Sequence, residues 1–292
     1  MNTSLFTDSP YQTSNEALSL EAFEEYLTEH ADYQQLVSAA NENLVEDLKA
    51  LIPTALRTWF GFAKELPDSD ITMLKWDQYK FSKKIGAADY MDFKHLVLNI
   101  PAGLKVDYFT FLNDFLKPAV EFLEKKAAKD IKEFTRYSGD LLNRPQDKLK
   151  SLNLIPTTNG QELDKIKATL KNYVEANSSI ASMPYQSAFK RNKDWLATLP
   201  LLQQLTLRMN KLQPKELNKQ SQKAQINLSK FNNWLEKTPE GMNVSPEAIS
   251  TIGQYTLMVG KELEFFALIH YYLKAINQAM DNNIRKVEDH LA

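Results

Sequence analysis

From Ser245 to Leu291 the apolar residues keep step without a break. Ile252, Tyr255, Val259, Leu263, Phe266, Ile269, Leu273, Ile276, Met280, Ile284, Val287 and Leu291 follow one another at intervals of three and four, which places them on one face of a 3.6-residue spiral. The pattern predicts one helix over 245–291, with Ser245 as its cap, Pro246 in its first turn and Glu247 behind it. At 1.5 Å per residue such a rod spans roughly 65 Å. That exceeds the width of a compact domain of 33.5 kDa, so the other elements, or a neighbouring chain, must lie along it.

Composition narrows what surrounds the rod. Eight glycines in 292 residues argue against folds that need repeated tight turns, such as β-sandwiches or Gly-rich nucleotide folds. The absence of cysteine removes disulfides, thiolate metal sites and cysteine nucleophiles together. The expected fold is all-α: an elongated multi-helix bundle with one long C-terminal helix and a short irregular or extended segment near 95–103. In that segment His95-Leu96-Val97-Leu98-Asn99-Ile100 reads as extended and Pro101-Ala102-Gly103 as a turn.

The chain divides into a flexible polar arm (1–14), an N-terminal helical region (15–142), a loop-rich connector (143–160) carrying Pro145, Pro156 and Thr-Thr-Asn-Gly, and a C-terminal helical region (161–292). The first region holds helices from about Ser19, from Asp32 to Leu51 and from Pro53 to Leu66. A further helix starts at the cap Asp107 and runs to about Tyr137, with a kink or break expected at Pro118. In the second region helices are expected from Leu163 to about Asn177, from Trp195 to Leu212 with an interruption at Pro200, and from Pro214 to Leu235. A loop is expected from Ser178 to Tyr185.

Charge is distributed unevenly. Residues 1–70 carry thirteen acids against three bases, whereas residues 189–230 carry nine bases against two acids. Lys190, Arg191 and Lys193 stand beside Trp195, and Lys211, Lys215, Lys219 and Lys223 recur at intervals of four. That spacing places ammonium groups in a stripe along one helical face, the arrangement that tracks phosphates. These seven residues are the candidate phosphate-binding set. The bland alternative is that they solvate a bundle face or meet the acidic N-terminal region of the same or another copy.

No phosphate loop, dinucleotide turn or nucleophile elbow is present, and His30, His95, His270 and His290 lack metal-ligand spacing. Asp92 and His95 share a face as a surface pair, His270 reads as a neutral core histidine, and the acids Glu262, Glu264, Asp140 and Asp147 read as solvated. No catalytic residue, cofactor or metal site is assigned. The N-terminal stretch lacks the basic start and apolar run of a signal peptide, and the most apolar run, 265–273, falls short of a membrane span.

The Asn/Gln/Lys-rich texture, the polar arm, the segment Leu98-Asn99-Ile100-Pro101-Ala102-Gly103-Leu104-Lys105-Val106-Asp107-Tyr108 leading into an aromatic helix, and the uninterrupted terminal helix together resemble virion structural or internal head proteins of large tailed bacteriophages. The resemblance implies a non-enzymatic structural or assembly role in the virion or the host cytoplasm, with other protein subunits, self or hetero, as partners and no membrane. The alternative reading is a nucleic-acid-associated accessory protein that binds phosphates through 190–230.

Overall fold

The computed structural model describes residues 67, 69–74, 93, 95–145, 159–175, 180–238, 244 and 246–291. The helices expected before Leu66, the cap at Ser245 and most of the connector lie outside these residues. What is described is mostly helical, as the all-α expectation requires.

Strand β1, Val97–Pro101, precedes the first helix. The segments Tyr108–Thr110, Phe111–Leu116, Lys117–Phe122, Leu123–Ala127 and Ala128–Asn143 then run on without a gap as α1. Asp107 caps it, its carboxylate accepting the Thr110 amide and hydroxyl, each at 2.9 Å. Of the kink or break expected at Pro118, the break does not occur. The turns on either side of it are π-wound, and the Lys117 N–H reaches back five residues to the Leu112 carbonyl. This wider winding moves the preceding carbonyls away from the proline ring.

Helix α2, Asn159–Tyr173, stops short of the expected Asn177. Beyond its end the chain ties to the turn after β1: Lys105 N–H donates to the Tyr173 carbonyl and Glu175 N–H to the Gly103 carbonyl, both at 2.7 Å. Gly103 has φ +77°, and a Cβ there would lie 2.2 Å from the Glu175 carbonyl oxygen, so only glycine fits this turn.

The loop expected over 178–185 contains β2, Ile180–Pro184, paired antiparallel to β1 with Val97 opposite Pro184 and Pro101 opposite Ile180. Its five residues carry no alternation of their own; the partner strand defines them. A single short turn, α3, Tyr185–Ala188, follows.

Helix α4, Asn192–Lys211, passes through Pro200 uninterrupted. Pro200 is exposed, while Trp195, Leu199, Leu202 and Leu205 are buried along the opposite side. That packing outweighs the roughly 3 kcal/mol a helix-interior proline costs. Gln213, at φ 56°, redirects the chain into α5, Pro214–Lys237.

The last helix, α6, Pro246–Leu291, is continuous over 46 residues. Of the apolar seam, the residues from Ile252 to Val287 are buried throughout. Ring contacts show its direction: Phe134 meets Tyr255, Phe122 meets Phe265 and Phe111 meets Tyr272. Thus α6 runs antiparallel to α1. The α4–α5 pair follows α1 in parallel, since Lys190 pairs with Asp107, Arg208 with Glu124 and Thr135 with Gln220. One hydrophobic core joins elements from both sides of the connector.

Two asparagines fasten non-helical backbone to this frame. Asn210 of α4 accepts the Ile71 N–H and donates to the Ile71 carbonyl, both at 2.9 Å. Asn283 of α6 does the same for Asn99 of β1.

Candidate phosphate-binding face

The seven sequence-predicted residues fall into two groups at opposite ends of α4. Nineteen residues separate Asn192 from Lys211, so the ends of this helix lie roughly 28 Å apart.

At the N-terminal end, two of the three bases are held by buried acids. Lys190 Nζ lies 3.1 Å from Asp107 Oδ2. Burial works against the Asp107 charge, but hydrogen bonds from Thr110 and Lys190 keep its carboxyl below the ordinary range. The Arg191 guanidinium forks onto the Asp194 carboxylate at 2.8–3.2 Å. Asp194 in turn accepts the Arg191 N–H at 3.1 Å, closing a capping box at the start of α4. Lys193 is exposed beside them. Lys190 and Arg191 therefore complete two helix starts.

At the other end, Lys211, Lys215, Lys219 and Lys223 are all exposed, and none makes an ion pair with another described residue. Leu217, Ser221, Ala224 and Leu228 are buried on the opposite side of α5. Lys215, Lys219 and Lys223 share one side of α5, while Lys211 stands in the last turn of α4, across the turn at Gln213.

The sequence misplaced the acids of α6. Glu262 and Glu264, expected on solvated faces, are 0% and 3% exposed. Glu264 is paired with Lys167 of α2 at 3.2 Å; burial pushes the glutamate up and the lysine down, with each opposing the other's shift. Glu262 faces Asp130 of α1. Burial, reinforced by that neighbouring carboxyl, pushes Glu262 up to about 9, so it carries a proton at neutral pH. One signal for this was available: residues 265–273 are apolar on every side, the mark of a helix buried all round. Acids one turn earlier belong to the same interior.

His270, 6% exposed, donates from Nε2 to the Ser69 carbonyl at 3.1 Å. Burial holds its pKa below the ordinary value, so it is a neutral core histidine. His95 is exposed, and Asp92 lies outside the described residues. Among the described residues no group of three or more His, Cys, Asp or Glu has the arrangement of a metal site, and no helix is long and apolar enough to cross a membrane.

Comparison with known proteins returns no matching family model, no similar curated protein and no similar solved structure.

Proposed function

We propose that the chain is a non-enzymatic helical structural or assembly protein, of the virion-component kind its sequence texture resembles. The observation that carries this reading is the construction of α6. It is a 46-residue spine buried along nearly its whole length, with β1, α1, α2 and α4 fastened to it by Asn283, the aromatic contacts, Glu264 and Asn277. Buried charged and polar side chains serve that fastening. A body built this way acts through its outer surface, by contact with other subunits of its own kind or of another.

Size-exclusion chromatography with light scattering on the full chain tests the proposal. The expected result is a self-associated species or a stable complex with a second protein from the native source. A strictly monomeric protein that retains no partner overturns it.

A second reading is favoured by one observation: Lys211, Lys215, Lys219 and Lys223 are exposed and lack an acid partner among the described residues. It makes the protein a nucleic-acid-associated accessory factor whose contacts are to phosphates.

A further inference from the structure

Helix α5 lies against the C-terminal half of α1. Thr135 Oγ1 donates to the Gln220 carbonyl at 3.3 Å, Asn227 Nδ2 donates to Ser138 Oγ at 3.3 Å, and Gly139 faces the Asn227 amide. Residue numbers rise together along this seam, so the two helices are parallel.

The same half of α1 carries a second row of exposed bases: Lys125, Lys129, Lys132 and Arg136. At about 100° per residue, Lys129, Lys132 and Arg136 fall within roughly 60° of one another. They stand about a quarter turn from Thr135 and Gly139, which face α5, and the core residues Phe134 and Leu141 lie on the other side. On α5 the order is mirrored. Lys219, Lys223 and Lys230 lie within roughly 40° of one another, about a quarter turn from Gln220 and Asn227, with exposed Lys215 about 40° further round from Lys219 and the buried Ser221, Gln225 and Leu228 on the far side. For two parallel helices that share a seam and a core, these opposite offsets bring both rows to the same outer surface. Packed helix axes lie about 8–10 Å apart, and the rows extend for roughly 16 and 22 Å. The acids near them are fewer than the bases: Glu121 and Glu133 contact Lys125 and Lys129 at 3.8 Å, half-buried Asp140 stands one turn beyond Arg136, and Glu216 is exposed on α5.

We propose that α1 and α5 together form a two-rail cationic face that binds the phosphate backbones of a nucleic-acid duplex without sequence preference. The inference rests on the phosphate-binding reading and extends it to α1, which the sequence did not single out. Charge complementarity names the occupant. A duplex presents about one negative charge per 1.7 Å of axis, so a face of this length spans roughly a dozen. Seven of the eight residues in the two rails are lysines, point charges suited to phosphate oxygens rather than to forked readout of base edges. Single strands are held largely by stacking on aromatic rings. The large apolar side chains exposed among the described residues are Val97, Leu207 and Ile226, with no aromatic ring.

The test uses the full chain and fluorescence anisotropy with a labelled 30-base-pair DNA of arbitrary sequence, a 30-nucleotide single strand and heparin, across 25–200 mM salt. The expected result is duplex binding at low salt that weakens steeply as salt rises, with a log–log slope of about −4 to −6, and weaker binding of the single strand. The variants K129Q/K132Q/R136Q on α1 and K215Q/K219Q/K223Q on α5, checked for folding by circular dichroism, are each expected to weaken duplex binding tenfold or more, and together to abolish it. Loss in the α5 variant alone overturns the two-rail face and leaves the phosphate reading standing. No duplex binding by the wild type at low salt, binding of heparin alone, or no effect of either variant overturns both.

Discussion

Asn283 of α6 holds Asn99 of β1 by both of its backbone polar groups, accepting the N–H at 2.7 Å and donating to the carbonyl at 2.8 Å. The same carbonyl accepts the Tyr108 hydroxyl at 2.6 Å, and Lys286 donates to the Asn99 side chain at 2.9 Å. A side-chain amide here takes the place of a third strand: β1 is paired with β2 on one edge and with the spine helix on the other. At Asn99 the outer edge of β1 is therefore satisfied, although the sheet has two strands among the described residues.

Asn283→Ala should destabilise the fold by about 2 kcal/mol. It leaves the half-buried Asn99 N–H without its acceptor, and a buried backbone donor stranded that way costs about 1–3 kcal/mol. Urea unfolding followed by circular dichroism measures the loss. A change below about 0.5 kcal/mol would mean that water replaces the clamp and that β1 is held by packing alone.

Glu262 makes stability depend on pH in a direction opposite to that of an ordinary salt-bridged acid. Its folded pKa is raised to about 9 from 4.5. Below pH 4.5 it is protonated in both states and contributes no pH dependence. Between 4.5 and 9 the unfolded chain ionises while the folded one keeps its proton, so stability falls as pH rises, by at most about 1.4 kcal/mol per unit. Above 9 the slope from this group ends. Glu262→Gln removes the titration, so the stability of wild type relative to this variant should decline steadily between pH 5 and 9. A difference independent of pH across that window would show Glu262 to be ionised in the fold.

The elements that were readable from sequence are those whose information is local. The α6 seam repeats for twelve apolar residues and needs no partner to be recognised. The Asp107 cap and the extended character of Val97–Ile100 are also written in neighbouring residues. Strand β2 is not, because its register depends on β1 about eighty residues earlier. Proline misled in the same way at two places. Pro118 and Pro200 are local helix breakers, yet π winding at one and a buried Trp-Leu face at the other keep the helices whole.

The candidate face was half visible. A four-residue spacing identifies the lysines of α5, but the partnering of Lys190 and Arg191 with Asp107 and Asp194 requires the corner where α1 and α4 begin. The row on α1 gave a weaker signal because Glu121, Glu124, Asp130 and Glu133 are interleaved with it in sequence. In the fold Asp130 points into the core beside Glu262, and Glu124 is taken by Arg208 at 3.0 Å. What remains outside on that side is mainly basic.

The Lys167–Glu264 pair bridges α2 to the spine at 3.2 Å with both side chains buried. Desolvating two charges costs nearly as much as their attraction returns, so such a pair contributes little net stability, yet removing one member strands the other. Lys167→Met should therefore cost about 3 kcal/mol or more, since Glu264 loses the ammonium group that donates to it at 3.2 Å inside the bundle. The double variant Lys167→Met, Glu264→Met replaces both charges with apolar chains of similar reach and should recover most of that loss, to within about 1 kcal/mol of wild type. Urea unfolding of the two single variants and the double variant closes the cycle. A double variant as unstable as the sum of its singles would show that the two side chains do not depend on each other, and that α2 is docked by Leu163, Leu170 and Val174 rather than by the ion pair.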